Sequence, residues 1–253
     1  MGFFGNKSDG SSEDSVESVE NVIEEDLSFI KMPSINVSTL NNLLKIKADI
    51  EGGGSLIIGG SFEGSVKIEE TLFIEKGAIF NGKVKAKNVK IAGEFLGEVE
   101  AILVEVTSNS KFTGIINSNK SFLAGIINGI VNSKDSIEVL LSGDIKTKEF
   151  KSGNIKISGK VNGNIIASNL LEVTKDGSVS GEIVTKGIKT EQGGTIIGNI
   201  QTYDESLHGI DIGYSMEDIN ISNSSNIEKT DNQIDEVDIQ KYSKKETKTP
   251  KRL

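Results

Sequence analysis

Cysteine is absent from the 253 residues, which removes disulfide frameworks and thiolate metal sites. Tryptophan is absent as well, and the three tyrosines, Tyr203, Tyr214 and Tyr242, all come late in the chain. There is one histidine, His208, and one arginine, Arg252. The two prolines, Pro33 and Pro250, leave everything between them free of a residue that cannot donate to a ladder. No apolar run reaches the roughly 18–20 residues of a spanning helix. No signal-peptide pattern opens the chain, since Met1-Gly2-Phe3-Phe4-Gly5 leads into acids. A cytosolic location is the expectation. A formal charge of −9 argues against nonspecific nucleic-acid binding.

What the chain does have is a repeat. An apolar residue, any residue, glycine, any residue and a β-branched aliphatic recur around Gly64, Gly82, Gly97, Gly114, Gly129, Gly143, Gly163, Gly181 and Gly198. Examples are Phe62-x-Gly64-x-Val66, Phe95-x-Gly97-x-Val99, Leu141-x-Gly143-x-Ile145 and Ile196-x-Gly198-x-Ile200. The glycines stand 14 to 20 residues apart. That period is too short for helical repeats and suits one coil of a β-solenoid, in which each turn pairs only with its neighbours. The expected fold is all-β, a parallel β-helix of about nine to ten coils over residues 41–203.

Each coil carries a second short apolar stretch, such as Leu56–Ile58, Leu72–Ile74, Ile137 with Val139, and Leu170–Val173. Residues flanking the repeat glycines are mostly polar, so one face points into a core and the other into water. Strict alternation puts the glycines themselves on the inner face. Either a corner with unusual dihedrals or a close backbone approach accounts for them. The pattern is least regular between residues 107 and 150, where Ile115 and Ile130 occupy positions that are polar elsewhere. Two readings stand open: a lateral contact, or a local reversal of register that buries both.

Flanking the repeat, residues 1–40 are rich in serine and acid, and residues 204–253 are polar with a basic end. Both read as disordered tails. Short helices over Val16–Ile23 and Ile234–Tyr242 are the local exceptions considered, the latter as a partner-binding segment.

Catalysis finds little to work with. Solenoid lyases and hydrolases need a strong base or convergent acids, whereas Asp135, Asp144 and Asp176 occur at unlike positions in their coils. A hexapeptide acyltransferase needs a six-residue rhythm and a histidine within the repeat. Calcium-binding nonapeptides and phosphate loops are likewise missing. Lys83, Lys85, Lys87 and Lys90 share a neighbourhood, but without arginine or aromatics they read as a solvated face rather than an anion site. No catalytic residue, cofactor or metal site is expected.

The phrases Ile57-Ile58-Gly59-Gly60-Ser61-Phe62-Glu63-Gly64-Ser65-Val66 and Ile157-Ser158-Gly159-Lys160-Val161-Asn162-Gly163-Asn164-Ile165 strongly resemble bactofilins, bacterial cytoskeletal proteins. The resemblance implies a right-handed β-helix, here longer than the family's usual core. It implies polymerisation with itself through the helix ends, without nucleotide, cofactor or metal. It also implies scaffolding of cell-envelope or peptidoglycan enzymes at the inner face of the cytoplasmic membrane. The apolar Met1, Phe3 and Phe4 match the membrane-touching peptide of many members, although an acidic stretch follows them.

The residues themselves agree with open ends. No proline blocks a ladder at either terminal coil, and unpaired strand edges are templates for another chain. Leu44, Ile46 and Ile50 at one end, with Ile196 and Ile200 at the other, are the expected polymer interface. The rival readings are an adaptor whose tails cover its ends and, less favoured, a polysaccharide-active enzyme.

Overall fold

The structure, a computed structural model, describes residues 28–208. Thirteen strands run in sequence: β1 (Val37–Leu40), β2 (Lys45–Gly52), β3 (Ser55–Ile58), β4 (Ser61–Ile68), β5 (Thr71–Ile74), β6 (Ile79–Ile91), β7 (Glu94–Val106), β8 (Lys111–Leu123), β9 (Ile126–Val139), β10 (Asp144–Ile157), β11 (Lys160–Val173), β12 (Ser178–Thr190) and β13 (Thr195–Thr202). One turn of helix, α1 (Glu205–His208), follows. Every pairing is parallel and joins adjacent coils only, as a solenoid requires. The sheet begins at Val37, earlier than the expected start at residue 41. The helices considered at Val16–Ile23 and Ile234–Tyr242 lie outside the described residues.

Alternation along each coil builds the core as vertical columns. One column runs Ile46, Phe62, Phe80, Phe95, Phe112, Ile127, Ile145, Val161, Val179, Ile196, which counts ten coils. Its four phenylalanines stack with ring centroids 5.1, 4.9 and 5.1 Å apart. Such pairs contribute about 0.5–1.5 kcal/mol each beyond their buried area. A second column runs from Ile50 through Val66, Val84, Val99, Ile116, Val131, Phe150, Ile165 and Ile183 to Ile200.

Between these two columns lies the glycine column, and both explanations for it hold together. The column glycines have φ between 129° and 155°, a region L side chains rarely adopt. A methyl group at any of them would lie 1.8–2.0 Å from the carbonyl oxygen of the same position one coil earlier. The chain turns here and packs backbone on backbone.

Gly143 is not part of that column. Its carbonyl accepts from Lys160 N–H at 2.8 Å, in the turn ahead of β10, where Gly125 and Gly159 hold the same place in their coils. The position aligned with Gly129 and Gly163 is Thr147, so Ile145 belongs to the phenylalanine column and Phe150 to the second. The irregular spacings of 14 and 20 on either side of Gly143 become 18 and 16 once Thr147 is counted. Threonine is accommodated by a bulge that inserts Lys148. The Thr147 hydroxyl accepts from Glu149 N–H at 3.0 Å and donates to Glu149 O at 2.6 Å.

Ile115 and Ile130 pair with each other on the outer face, in a column that carries Ser65, Lys83 and Glu98 before them and Glu149 and Asn164 after. The register does not reverse, and Ile115 keeps 36% of its surface exposed. The core of the same coils is unusual too. Ser118, Ser121 and Ser133 are fully buried and bond one another at 2.7–3.0 Å, where neighbouring coils place Ala86, Ala101 or Val104. Mutual satisfaction removes the desolvation penalty that lone buried hydroxyls would carry.

Candidate functional site

The two ends of the stack are its chemically distinctive surfaces. At the N-terminal end β1 pairs only with β3 and β2 only with β4, so each offers one free backbone edge. Ile46 and Ile50 are half-buried there against the core, while Leu44 is exposed. At the C-terminal end β13 pairs only with β12. Ile196 is half-buried, and Ile200 is 53% exposed although its column is fully buried in the interior coils. The four isoleucines expected from sequence therefore terminate the two core columns; Leu44 lies at the adjoining turn.

Neither end is covered by the adjacent chain within the described residues. After β13 the chain turns onto the side of the stack. Tyr203 is buried against Ile166 and Val184, its N–H donates to Thr185 O at 3.1 Å, and the Lys186 ammonium lies 5.2 Å from its ring centroid. Before β1, the chain lies along another side. Phe29 stacks on Phe122 with ring centroids 3.6 Å apart, Ile30 is buried, and Asn36 O accepts from Ser55 N–H at 2.9 Å. Sequence reasoning missed both straps. The one legible signal was a pair of apolar residues, Phe29 and Ile30, closing an otherwise acidic stretch.

Charge on the outer faces is spent between coils. Lys83, Lys85, Lys87 and Lys90 each meet a carboxylate of a neighbouring coil, namely Glu98, Glu100, Glu70 and Glu105, at 3.1–3.6 Å. Glu138 with Lys156 and Glu172 with Lys189 continue the pattern at 3.4 and 2.8 Å. The Lys189 hydrogen bond holds Glu172 below the usual carboxylate range and is in turn what raises Lys189. The exposed pairs among them each contribute little, the nearly buried Lys90–Glu105 pair standing apart, but opposite charges one coil apart favour correct register over a slipped one.

Catalytic geometry is not assembled from the residues weighed for it. Asp144 opens β10, Asp135 lies at the slipped register of β9, and Asp176 sits in the turn after β11 beside Lys175. They converge on nothing. His208 closes α1, its Nδ1 accepting from Asp204 N–H at 3.2 Å. A depression beside the N-terminal coils, lined by Leu43, Leu44, Lys45, Lys76 and Ile79, contains no carboxylate or histidine. Among the described residues no cluster of His, Cys, Asp or Glu is arranged to hold a metal, and no helix is long and apolar enough to cross a membrane. Met1, Phe3 and Phe4 lie outside the described residues.

Comparison with known families places this geometry. The family described as "Bactofilin: Polymer-forming cytoskeletal" matches twice, over residues 38–124 and 111–201. The chain belongs to the bactofilin family. Among curated proteins it is similar to Bactofilin BacO of Myxococcus xanthus (strain DK1622), 32% identical over 88 residues, which cover 34% of this chain and 70% of the relative. No solved structure matches. The two overlapping bactofilin matches run in series along a single uninterrupted stack of coils. As a bactofilin, the chain is a member of a polymer-forming cytoskeletal family.

Proposed function

We propose that this bactofilin polymerises end to end without nucleotide, as a scaffold at the inner face of the cytoplasmic membrane that organises cell-envelope or peptidoglycan enzymes. The observation that carries the end-on reading is the pair of open ends. Ile196 and Ile200 finish the core columns at one end and Ile46 and Ile50 at the other, while the flanking chain is laid along the sides. Joining two ends buries apolar columns and pairs free strand edges in one event. At ~4.8 Å per coil, the ten coils make a rod on the order of 45 Å per subunit. Negative-stain microscopy of the purified full chain without nucleotide should show filaments, and sedimentation should show their size falling on dilution. A species of fixed small size would favour the adaptor reading. Glycan-release assays should give no product, in keeping with a structural rather than enzymatic role.

Exposed Ile115, paired with half-buried Ile130 on the outer face, supports a lateral contact between rods. Ile115→Glu with Ile130→Glu should abolish bundling of filaments at a modest cost of about 1–2 kcal/mol, which comes from lining the new carboxylates up with Glu98 and Glu149 on the outer face. A large fall in thermal stability would show that the pair matters for the fold instead.

Membrane attachment rests on Met1, Phe3 and Phe4. Inserting the two phenylalanines contributes roughly 1.5–3 kcal/mol each before the ordering of the chain is subtracted. One copy therefore binds weakly, whereas a filament presents many, and multivalency raises avidity by about two to four orders of magnitude. Co-sedimentation with liposomes should require both phenylalanines and an intact end coil. If Phe3→Ala with Phe4→Ala sediments as the unsubstituted chain does, the N-terminus is not the anchor.

A further inference from the structure

The segment ahead of β1 is seated in a built groove. One outer column of the stack runs Ile57, Phe73, Lys90, Glu105, Phe122. Lys90 and Glu105 pair at 3.1 Å with their side chains only 13% and 7% exposed. The Glu105 carboxylate also accepts from Ile30 N–H at 2.6 Å, and Lys90 bonds the Ser28 hydroxyl. Ile30 keeps 4% of its surface exposed. A nearly buried ion pair is unfavourable unless its remaining valences are filled, and here the strap fills them with backbone and hydroxyl groups. Phe29 on Phe122 completes a seat that engages three successive residues, Ser28, Phe29 and Ile30.

From that seat the chain climbs to the N-terminal end of the rod, reaching β1 through Asn36, the one non-glycine residue with positive φ among those described. β1 has four residues and one ladder, to β3. A short edge strand paired on one side is prone to fraying, and what precedes it decides how firmly it is held. We propose that the groove at Lys90 and Glu105 is a latch: seating of Ser28–Ile30 secures β1, and release frays β1 and makes the N-terminal end coil incompetent for stacking. The inference rests on the end-stacking reading and adds to it a control built into the side of the rod.

The test pairs two readouts on the full chain. Ile30→Asp places a carboxylate against Glu105 and should expel the strap, while Glu105→Gln keeps shape and weakens the hold on Lys90. Amide hydrogen exchange of Val37–Leu40 should quicken at least tenfold in Ile30→Asp, and by less in Glu105→Gln, with β6–β12 unaltered. Filaments should shorten in the same order. Unchanged exchange in β1 would overturn the latch, as would faster exchange in β1 with filaments of unaltered length. If the unsubstituted chain forms no filaments, the stacking reading fails and the control of stacking fails with it. The exchange data then decide the seat alone: a quickened β1 upholds the strap as its support, an unchanged β1 removes that as well.

Discussion

Gly97→Ala should destabilise the rod by at least about 2 kcal/mol, and the damage should be local. Two costs combine: a side chain held at φ 141°, in a region closed to L residues, and a new methyl group 1.8 Å from the carbonyl oxygen of Gly82. The first is worth roughly 1–3 kcal/mol. The second adds the typical ~1–3 kcal/mol of overpacking or more, because the obstacle is a backbone atom fixed by its own ladder. Two other glycines separate these terms. Gly77 has φ 84° and open space around it, so Gly77→Ala should show the conformational cost only. Gly52 has open space and no such dihedral, so Gly52→Ala should be close to neutral. Since each coil touches only its neighbours, hydrogen exchange in Gly97→Ala should quicken in β6 and β7 well before β11 and β12. Equal melting of all three variants would show that the column is not a steric requirement.

That column also explains how much of the fold was legible. Gly, flanked two residues away by apolar side chains, is a strong signal because sterics enforce it in every interior coil but that of Thr147, and it located eight of the nine column positions that follow Ala48. It failed at Gly143 because a turn glycine beside Leu141 and Ile145 imitates the phrase, while Thr147 solves the same steric problem with an inserted residue. Periodicity records spacing, and a bulge changes spacing without changing the column. The terminal isoleucines were legible for the same reason as the core: they continue its columns. The straps were not, because Phe29, Ile30 and Tyr203 pack on outer-face residues outside any repeat, and only tertiary contact reveals them.

The irregular stretch has a related origin. Two family windows overlap across residues 111–124, the phenylalanine column ends at Phe112, and the buried serines and outward isoleucines follow at once. β7 and β8 keep one register through this seam, whereas β8 and β9 shift between Ser118 and Lys120, beside the buried serines.

Placing a charge in an end coil should have the largest effect on assembly. Ile200→Lys, or Ile46→Asp at the other end, leaves a charge that a free rod solvates easily, since these positions are half-buried or exposed in one subunit. In a joint the same charge is desolvated without a partner, a penalty of several kcal/mol. At ~1.4 kcal/mol per tenfold, a loss of about 3 kcal/mol raises the critical concentration more than 100-fold. Circular dichroism should show unchanged β content, while filaments give way to short species. The two ends need not be equivalent. At the N-terminal end Leu44 and Ala48 occupy columns that hold small residues or glycine in interior coils, tolerated because no coil precedes them. Ala48 does not share the positive φ of the column glycines, so the first coil differs there from an interior one. If like ends meet, one charged end should leave pairs joined through the other; if unlike ends meet, either charge alone should leave monomers, and charging both should leave monomers in either case. Filaments of normal length from the doubly charged chain would show that the ends are not where subunits meet.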